Sequence, residues 1–126
     1  MTTVLVVDDE ALIAMALEAA LEDAGYEVAT AANGRQGLER LAEAPRPEIV
    51  LLDMMMPVMN GPAMLATMAA DAELRGVPVI VLSSLPEATI RARADGAAAI
   101  LRKPYTADEV LAAIGRVLGE RARPGS

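Results

Sequence analysis

The chain has 126 residues, enough for one sizeable core and too few for two; 54% are hydrophobic, but Phe and Trp are absent, so that core is aliphatic. A formal net charge of −7, with acids and bases interspersed, argues against a non-specific nucleic-acid or anionic-membrane surface and suits a site that attracts cations. Cysteine and histidine do not occur, which removes disulfides, thiolate chemistry and the commonest metal ligand and general base, so any metal is a hard ion taking oxygen ligands.

Val4 to Val7 is an apolar run closed by Asp8-Asp9 and reads as a central strand. Neither a basic leader nor a long apolar span precedes it, so the expected location is the cytoplasm, without membrane insertion. From Ala11 to Ala24 the spacing turns helical, with Leu12, Met15, Ala16, Ala19 and Ala20 on one face, and Gly25 ends the helix as a residue free to adopt a left-handed conformation. Tyr26 to Ala31 is a short strand. Asn33-Gly34 opens a second helix in which Gly37, Leu38 and Leu41 face inward, before Pro45 and Pro47.

Ile49 to Leu52 is a third strand that delivers one carboxylate, Asp53, to a Met-rich loop closed by Pro57 and Gly61. An unpaired carboxylate at the tip of a buried strand is expensive, so Asp53 needs a partner, a metal or a solvent-filled cleft. Pro62 to Ala70 is helical, and Val79 to Leu82 is a fourth uninterrupted apolar strand, broken by Ser83-Ser84-Leu85-Pro86. Glu87 to Ala94 is a short helix closed at Asp95-Gly96, and Ala98 to Leu101 is a weak fifth strand ended by Lys103-Pro104, with a cis bond allowed there. Thr106, with Glu109 three residues on, caps a last helix whose apolar stripe is Val110, Leu111, Ile114, Val117 and Leu118. Residues 1–121 are read as one domain and 122–126 as a flexible tail.

Five strands alternating with five helices require parallel pairing with helices on both faces. The first, third and fourth strands are the most apolar and belong inside; the second and fifth belong at the edges. Right-handed crossovers then give an α/β doubly wound, flavodoxin-like (βα)5 sheet of order 2-1-3-4-5, with its ligand cleft at the carboxyl ends of the strands.

The polar residues that interrupt apolar strands all fall on that edge: Asp8, Asp9, Asp53, Ser83 and Lys103. Carboxylates roughly 4 Å apart repel by about 4 kcal/mol at an effective dielectric near 20, so three acids call for a cation. Oxygen-only ligands select Mg²⁺ or a similar ion, held by carboxylates, waters and the backbone carbonyl of Met55. Ten of the eleven basic residues are arginine and the eleventh is Lys103, which suits a compact point charge on an anionic oxygen, with chance usage as the other reading. A serine, a lysine and a metal around a carboxylate make a phosphoryl site with Asp53 as nucleophile and no need for a general base. Ser83 as an ordinary loop hydroxyl beside Ser84 stays open.

In order and nearly in spacing, VLVVDDE (Val4 to Glu10), LLDMMMPVMNG (Leu51 to Gly61), VIVLSS (Val79 to Ser84), GAAAIL (Gly96 to Leu101) and RKPY (Arg102 to Tyr105) resemble the receiver domain of two-component response regulators, chemotaxis regulators among them. The resemblance covers essentially the whole chain. It implies that Asp53 accepts phosphate from a histidine kinase or phosphotransferase, that Asp9 binds Mg²⁺ directly and Asp8 largely through water, and that Met55 contributes its carbonyl. It also implies that Ser83 and Lys103 hold the phosphoryl oxygens. Output then runs through a downstream protein partner at the fourth helix, fifth strand and fifth helix of a monomer or weak dimer, without nucleic acid.

Two features depart from the family pattern. The switch position three residues before the lysine, commonly aromatic, is Ile100, and an aliphatic side chain cannot swing a ring. The segment between Ser83 and Gly96 is about two residues shorter than usual. Both features favour a second reading, a receiver-shaped interaction module that works without phosphate. An aspartyl-phosphate phosphatase would need an acid where Met55 stands, and a dinucleotide-binding protein would need a glycine fingerprint after the first strand.

Overall fold

A computed structural model describes residues 2–122, with side chains as far as Gly119. Strands β1 (Thr3–Val7), β2 (Glu27–Ala31), β3 (Ile49–Asp53), β4 (Val79–Ser83) and β5 (Ala99–Arg102) alternate with helices α1 (Ala11–Asp23), α2 (Gly34–Leu41), α3 (Gly61–Ala70), α4 (Glu87–Arg93) and α5 (Ala107–Ala122). All neighbouring strands pair in parallel, in the order β2-β1-β3-β4-β5. The three uninterrupted apolar runs are the wholly buried interior strands, and the two mixed runs are the half-exposed edges, as alternation and apolar content dictate. The expected 122–126 tail falls mainly on 123–126, which lie outside the described residues; α5 itself reaches Ala122.

Side chains alternate across the sheet and build two cores. Leu5, Val7, Val50, Leu52 and Val81 pack toward α2, α3 and α4, meeting Leu41, Met64, Met68 and Ile90. Val4, Val6, Ile49, Leu51, Ile80 and Leu82 face the other way, onto Leu17 and Leu21 of α1 and Val110, Ile114 and Val117 of α5. The α1 face expected from spacing is corrected here. Ala14, Leu17 and Leu21 are the buried positions, while Leu12 is 81% and Met15 61% exposed. This alanine-rich helix is apolar almost all round, so periodicity alone does not select a stripe, and the sheet takes the one whose leucines bury the most area.

Local chemistry fixes the helix ends. Asn33 and Asn60 accept from the amides of Gln36 and Ala63 to cap α2 and α3. Thr106 Oγ1 accepts from the Glu109 amide at 3.1 Å while the Thr106 amide donates to Glu109 Oε1 at 3.3 Å, the expected capping box of α5. Gly25, at φ +97°, turns the chain out of α1 into β2. Among the described residues no helix is long and apolar enough to cross a membrane.

Register brings the functional residues level. Val7 lies opposite Leu52, Asp53 opposite Leu82 and Ser83 opposite Arg102, so Asp8, Asp53, Ser83 and Lys103 all emerge at the carboxyl edge. The loop leaving β3 returns tightly to start α3: the Gly61 amide donates to the Met54 carbonyl at 3.0 Å. A Cβ on Gly61 would strike the Asp53 carbonyl oxygen and sit 2.8 Å from Met54 Cα. Gly61→Ala is therefore expected to destabilise the fold by about 1–3 kcal/mol, the scale of overpacking against rigid neighbours. A urea midpoint unchanged from that of the parent chain would contradict this account of the loop.

Candidate functional site

The three acids reach one point by different routes. Asp8 is the first residue past β1; its amide donates to the Ala31 carbonyl at 3.0 Å, and its Oδ1 accepts from the Glu10 amide at 2.9 Å. That turn leaves Asp8 only 2% exposed and Asp9 in solvent. Asp53 is buried because β3 keeps pairing with β4 through it. Carboxylate oxygens of Asp8, Asp9 and Asp53 all lie within 4.8 Å of one another, and a cleft of about 280 Å³ bounded in part by Asp8, Asp9 and Met15 opens beside them.

Against these carboxylates stands one ammonium. Lys103 Nζ is 3.3 Å from Asp53 Oδ1, and both side chains are largely buried. The Lys103 amide donates to the Ser83 carbonyl at 2.8 Å, which ties β4 to the end of β5, and the Lys103-Pro104 bond is cis. Burial pushes the Asp53 carboxyl above its ordinary range; Lys103 pulls it back without offsetting that, and Asp9 adds to the rise. Burial likewise raises Asp8, against the Glu10 amide and together with the Asp53 charge. For Lys103 burial works against the charge, yet the carboxylates of Asp53 and Asp8 outweigh it and hold the ammonium above its ordinary range. Burial is the first cause of the rise in both carboxyls, and at Lys103 the facing carboxylates overcome it.

Asp8 Oδ2 is buried with no hydrogen-bond partner. Such atoms are rare and ask for a ligand. An oxygen-only donor set with an orphaned buried carboxylate oxygen fits a hard divalent cation.

Ser83 is buried at the end of β4, and its Oγ accepts from the Leu85 amide at 3.1 Å, leaving its O–H to donate elsewhere. Met55, two residues past Asp53, has an exposed side chain. Ile100 is not part of the polar cluster: it is half-buried against the core that contains Ile90 and borders Leu85. Tyr105 packs against the opposite core, as a packing residue should, and burial raises its hydroxyl pKa. Sequence reasoning missed Arg102, whose Nε donates to the Leu85 carbonyl at 3.0 Å. Strand alternation could have flagged it, because Arg102 shares a face with Ile100 two residues earlier.

The family model for the response regulator receiver domain matches residues 4–115. Protein PilH of Pseudomonas aeruginosa is 34% identical over 120 residues, covering 94% of this chain and 98% of its own. The transcriptional regulatory protein KdpE of Mycobacterium tuberculosis is 41% identical over 117 residues, 89% of this chain but 49% of its own, so this chain spans about half of that relative. Among solved structures, the receiver domain of a signal transduction histidine kinase from Syntrophus aciditrophicus superposes with a TM-score of 0.89 at 28% identity, covering 100% of this chain and 96% of its own. The chemotaxis response regulator CheY4 of Vibrio cholerae gives a TM-score of 0.85 at 33% identity, covering 93% and 98% respectively.

The upward displacement of the buried Asp8 carboxyl has a measurable consequence in the absence of divalent cations. Below the ordinary carboxyl value of 3.8, Asp8 carries its proton in both folded and unfolded chains and is neutral in its effect. As pH rises through 3.8 toward the raised folded value, the unfolded chain ionises freely and the folded one does so at a cost, so stability is lost and stays lost at neutral pH. Asp8→Asn in a chelator is thus expected to melt like the parent near pH 3 and to be more stable at pH 7, by about 1–2 kcal/mol, the scale of a buried unsatisfied polar atom. Adding Mg²⁺ should stabilise the parent more than the variant. A variant that is less stable than the parent at pH 7 in chelator would refute the cost assigned to ionising buried Asp8.

Proposed function

The chain belongs to the response regulator receiver domain family, whose members are phosphoacceptor signalling modules rather than classical enzymes, and on that premise we propose that Asp53 is its phosphorylated residue. The observation that carries this reading is the meeting of three carboxylates and one half-buried ammonium at strand ends. Family membership implies a histidine kinase as phosphodonor; a phosphotransferase is the equivalent donor in a relay. The receiver spans residues 1–121 and works in the cytoplasm as a monomer or weak dimer.

A carboxylate oxygen of Asp53 attacks the donor phosphorus. The new O–P bond forms as the donor's bond to phosphorus breaks, and the donor leaves with that electron pair. A carboxylate already ionised needs no base, which fits a chain without histidine. Asp8, Asp9, Asp53 and the Met55 carbonyl would hold Mg²⁺, which when bound would supply positive charge to the phosphoryl oxygens. Lys103 turns its ammonium from the Asp53 carboxylate to a phosphoryl oxygen, a role for a point charge rather than a planar fork. Ser83 donates its hydroxyl hydrogen to a further phosphoryl oxygen.

Engagement of Ser83 biases a two-state equilibrium in α4, its flanking loops and β5, and so changes binding of a protein partner at the α4-β5-α5 surface, without direct nucleic-acid contact. Ile100, at the switch position, is half-buried against the core and contributes as an aliphatic side chain.

With acetyl phosphate and Mg²⁺, intact mass spectrometry should find one phosphoryl group on the parent chain and none on Asp53→Asn. Phosphate retained on the variant would overturn the site, and none on either chain would favour the phosphate-independent interaction module. Met55 and Leu85, both apolar, flank the phosphoryl position and hinder attacking water. Met55→Asn should therefore shorten the phosphoprotein lifetime several-fold; an equal lifetime would remove Met55 from this role.

A further inference from the structure

Arg102 ends β5 opposite Ser83 in the strand register, on the face that Ile100 turns toward the α4 side of the sheet. Its side chain is exposed but not free. Besides the 3.0 Å bond from Nε to the Leu85 carbonyl, Nη2 makes a longer contact of 3.5 Å with the Ser84 carbonyl. Both carbonyls belong to the turn between β4 and α4. The same turn supplies the Leu85 amide that donates to Ser83 Oγ.

A short chain of polar contacts follows: guanidinium to Leu85 carbonyl, Leu85 amide to Ser83 hydroxyl. Accepting that amide fixes where the hydroxyl oxygen sits and restricts its O–H to the remaining directions. From the other side, the Lys103 amide holds the Ser83 carbonyl at 2.8 Å, so Arg102, the last residue of β5, grips the turn by its side chain and Lys103, the next residue, grips Ser83 by its main chain. A planar fork is suited to two adjacent carbonyls, whereas an ammonium offers a single centre.

We infer that Arg102 is a positioning residue for phosphoryl uptake: by clamping the Ser84-Leu85 turn it keeps the Ser83 hydroxyl presented to the group arriving on Asp53. The inference rests on the phosphoacceptor reading above and deepens it by assigning the side chain that links β5 to the β4–α4 turn. In a chain with Ile100 in place of a ring, this link is polar and sits at the strand end.

The test is the rate of phosphoryl uptake from acetyl phosphate with Mg²⁺, measured for the parent chain, Arg102→Ala, Arg102→Lys, Ser83→Ala and the Ser83→Ala/Arg102→Ala double variant. Arg102→Ala should be slower by about 2- to 10-fold, the kinetic equivalent of one hydrogen bond. Its melting temperature should stay close to that of the parent, because the residue is exposed, and Arg102→Lys should recover only part of the rate. In the Ser83→Ala background the Arg102→Ala change should have no further effect, since the hydroxyl it positions is gone. An equal slowing in both backgrounds, or full recovery by lysine, would assign the effect to charge and overturn the inference. Parent-like uptake by Arg102→Ala would overturn it while leaving Asp53 as phosphoacceptor. No uptake by the parent itself would overturn the phosphoacceptor reading and this inference with it.

Discussion

The constraint on which this structure turns is the confinement of Asp8, Asp9 and Asp53 around a single ammonium, that of Lys103. Carboxylates at such separations repel by about 4 kcal/mol at an effective dielectric near 20, and burial adds to that penalty. Burial displaces both buried carboxyls upward, and the attraction of Lys103 does not offset it for either. The sheet sustains this arrangement because β1, β3 and β4 are buried on both faces by aliphatic side chains, so their ends do not move apart to relieve the repulsion. The pocket is thereby left in want of positive charge, and a bound cation is the direct means of supplying it.

Rigidity at the strand ends contrasts with the loop that follows Asp53. Val58, a β-branched residue, sits in the left-handed region at φ 67°, and the Met59 amide closes a tight turn onto the Pro57 carbonyl at 2.7 Å. Met59 in turn accepts the Gly34 amide at 2.9 Å, and a Cβ on Gly34 would sit 2.8 Å from that carbonyl oxygen. The start of α2 is thus bound to the loop carrying Met55. Backbone held in a sparsely populated conformation persists only where its surroundings over-determine it, and here the surroundings are two glycines and the capped start of α3.

On the other flank, the departures from the family pattern share one region. Helix α4 has seven residues, Ile100 takes the place commonly held by an aromatic ring, and Arg102 reaches across from β5 to the turn before α4. An aliphatic residue half-buried against the core stabilises one arrangement of β5 and offers no second rotamer of different polarity. Polar contacts from Arg102 can break and re-form in water at small cost, so a coupling carried at the exposed strand end trades packing for reversibility.

Much of this was legible in the sequence. Uninterrupted apolar runs at 4–7, 49–52 and 79–82 mark interior strands because burial on both faces leaves no position for a polar side chain, and topology rules then order the sheet. Asp8, Asp9, Asp53 and Ser83 stood out because each closes such a run, Lys103 because it ends the weak fifth strand as the one lysine of the chain, and the Thr106/Glu109 cap was readable because its chemistry is local. Which side of α1 faces the sheet was not readable, since an alanine-rich helix offers several apolar stripes and only packing against Leu51 and Ile114 selects Leu17 and Leu21. Nor was the difference in burial between Asp8 and Asp9, adjacent in sequence and identical in chemistry, where one is buried by a turn onto the Glu10 amide and the other lies in solvent. The Arg102 clamp likewise depends on the β4/β5 register, a relation between segments 18 residues apart. Patterns of burial are written residue by residue, so the chain alone specifies them, whereas contacts between distant backbone groups exist only once the strands have aligned.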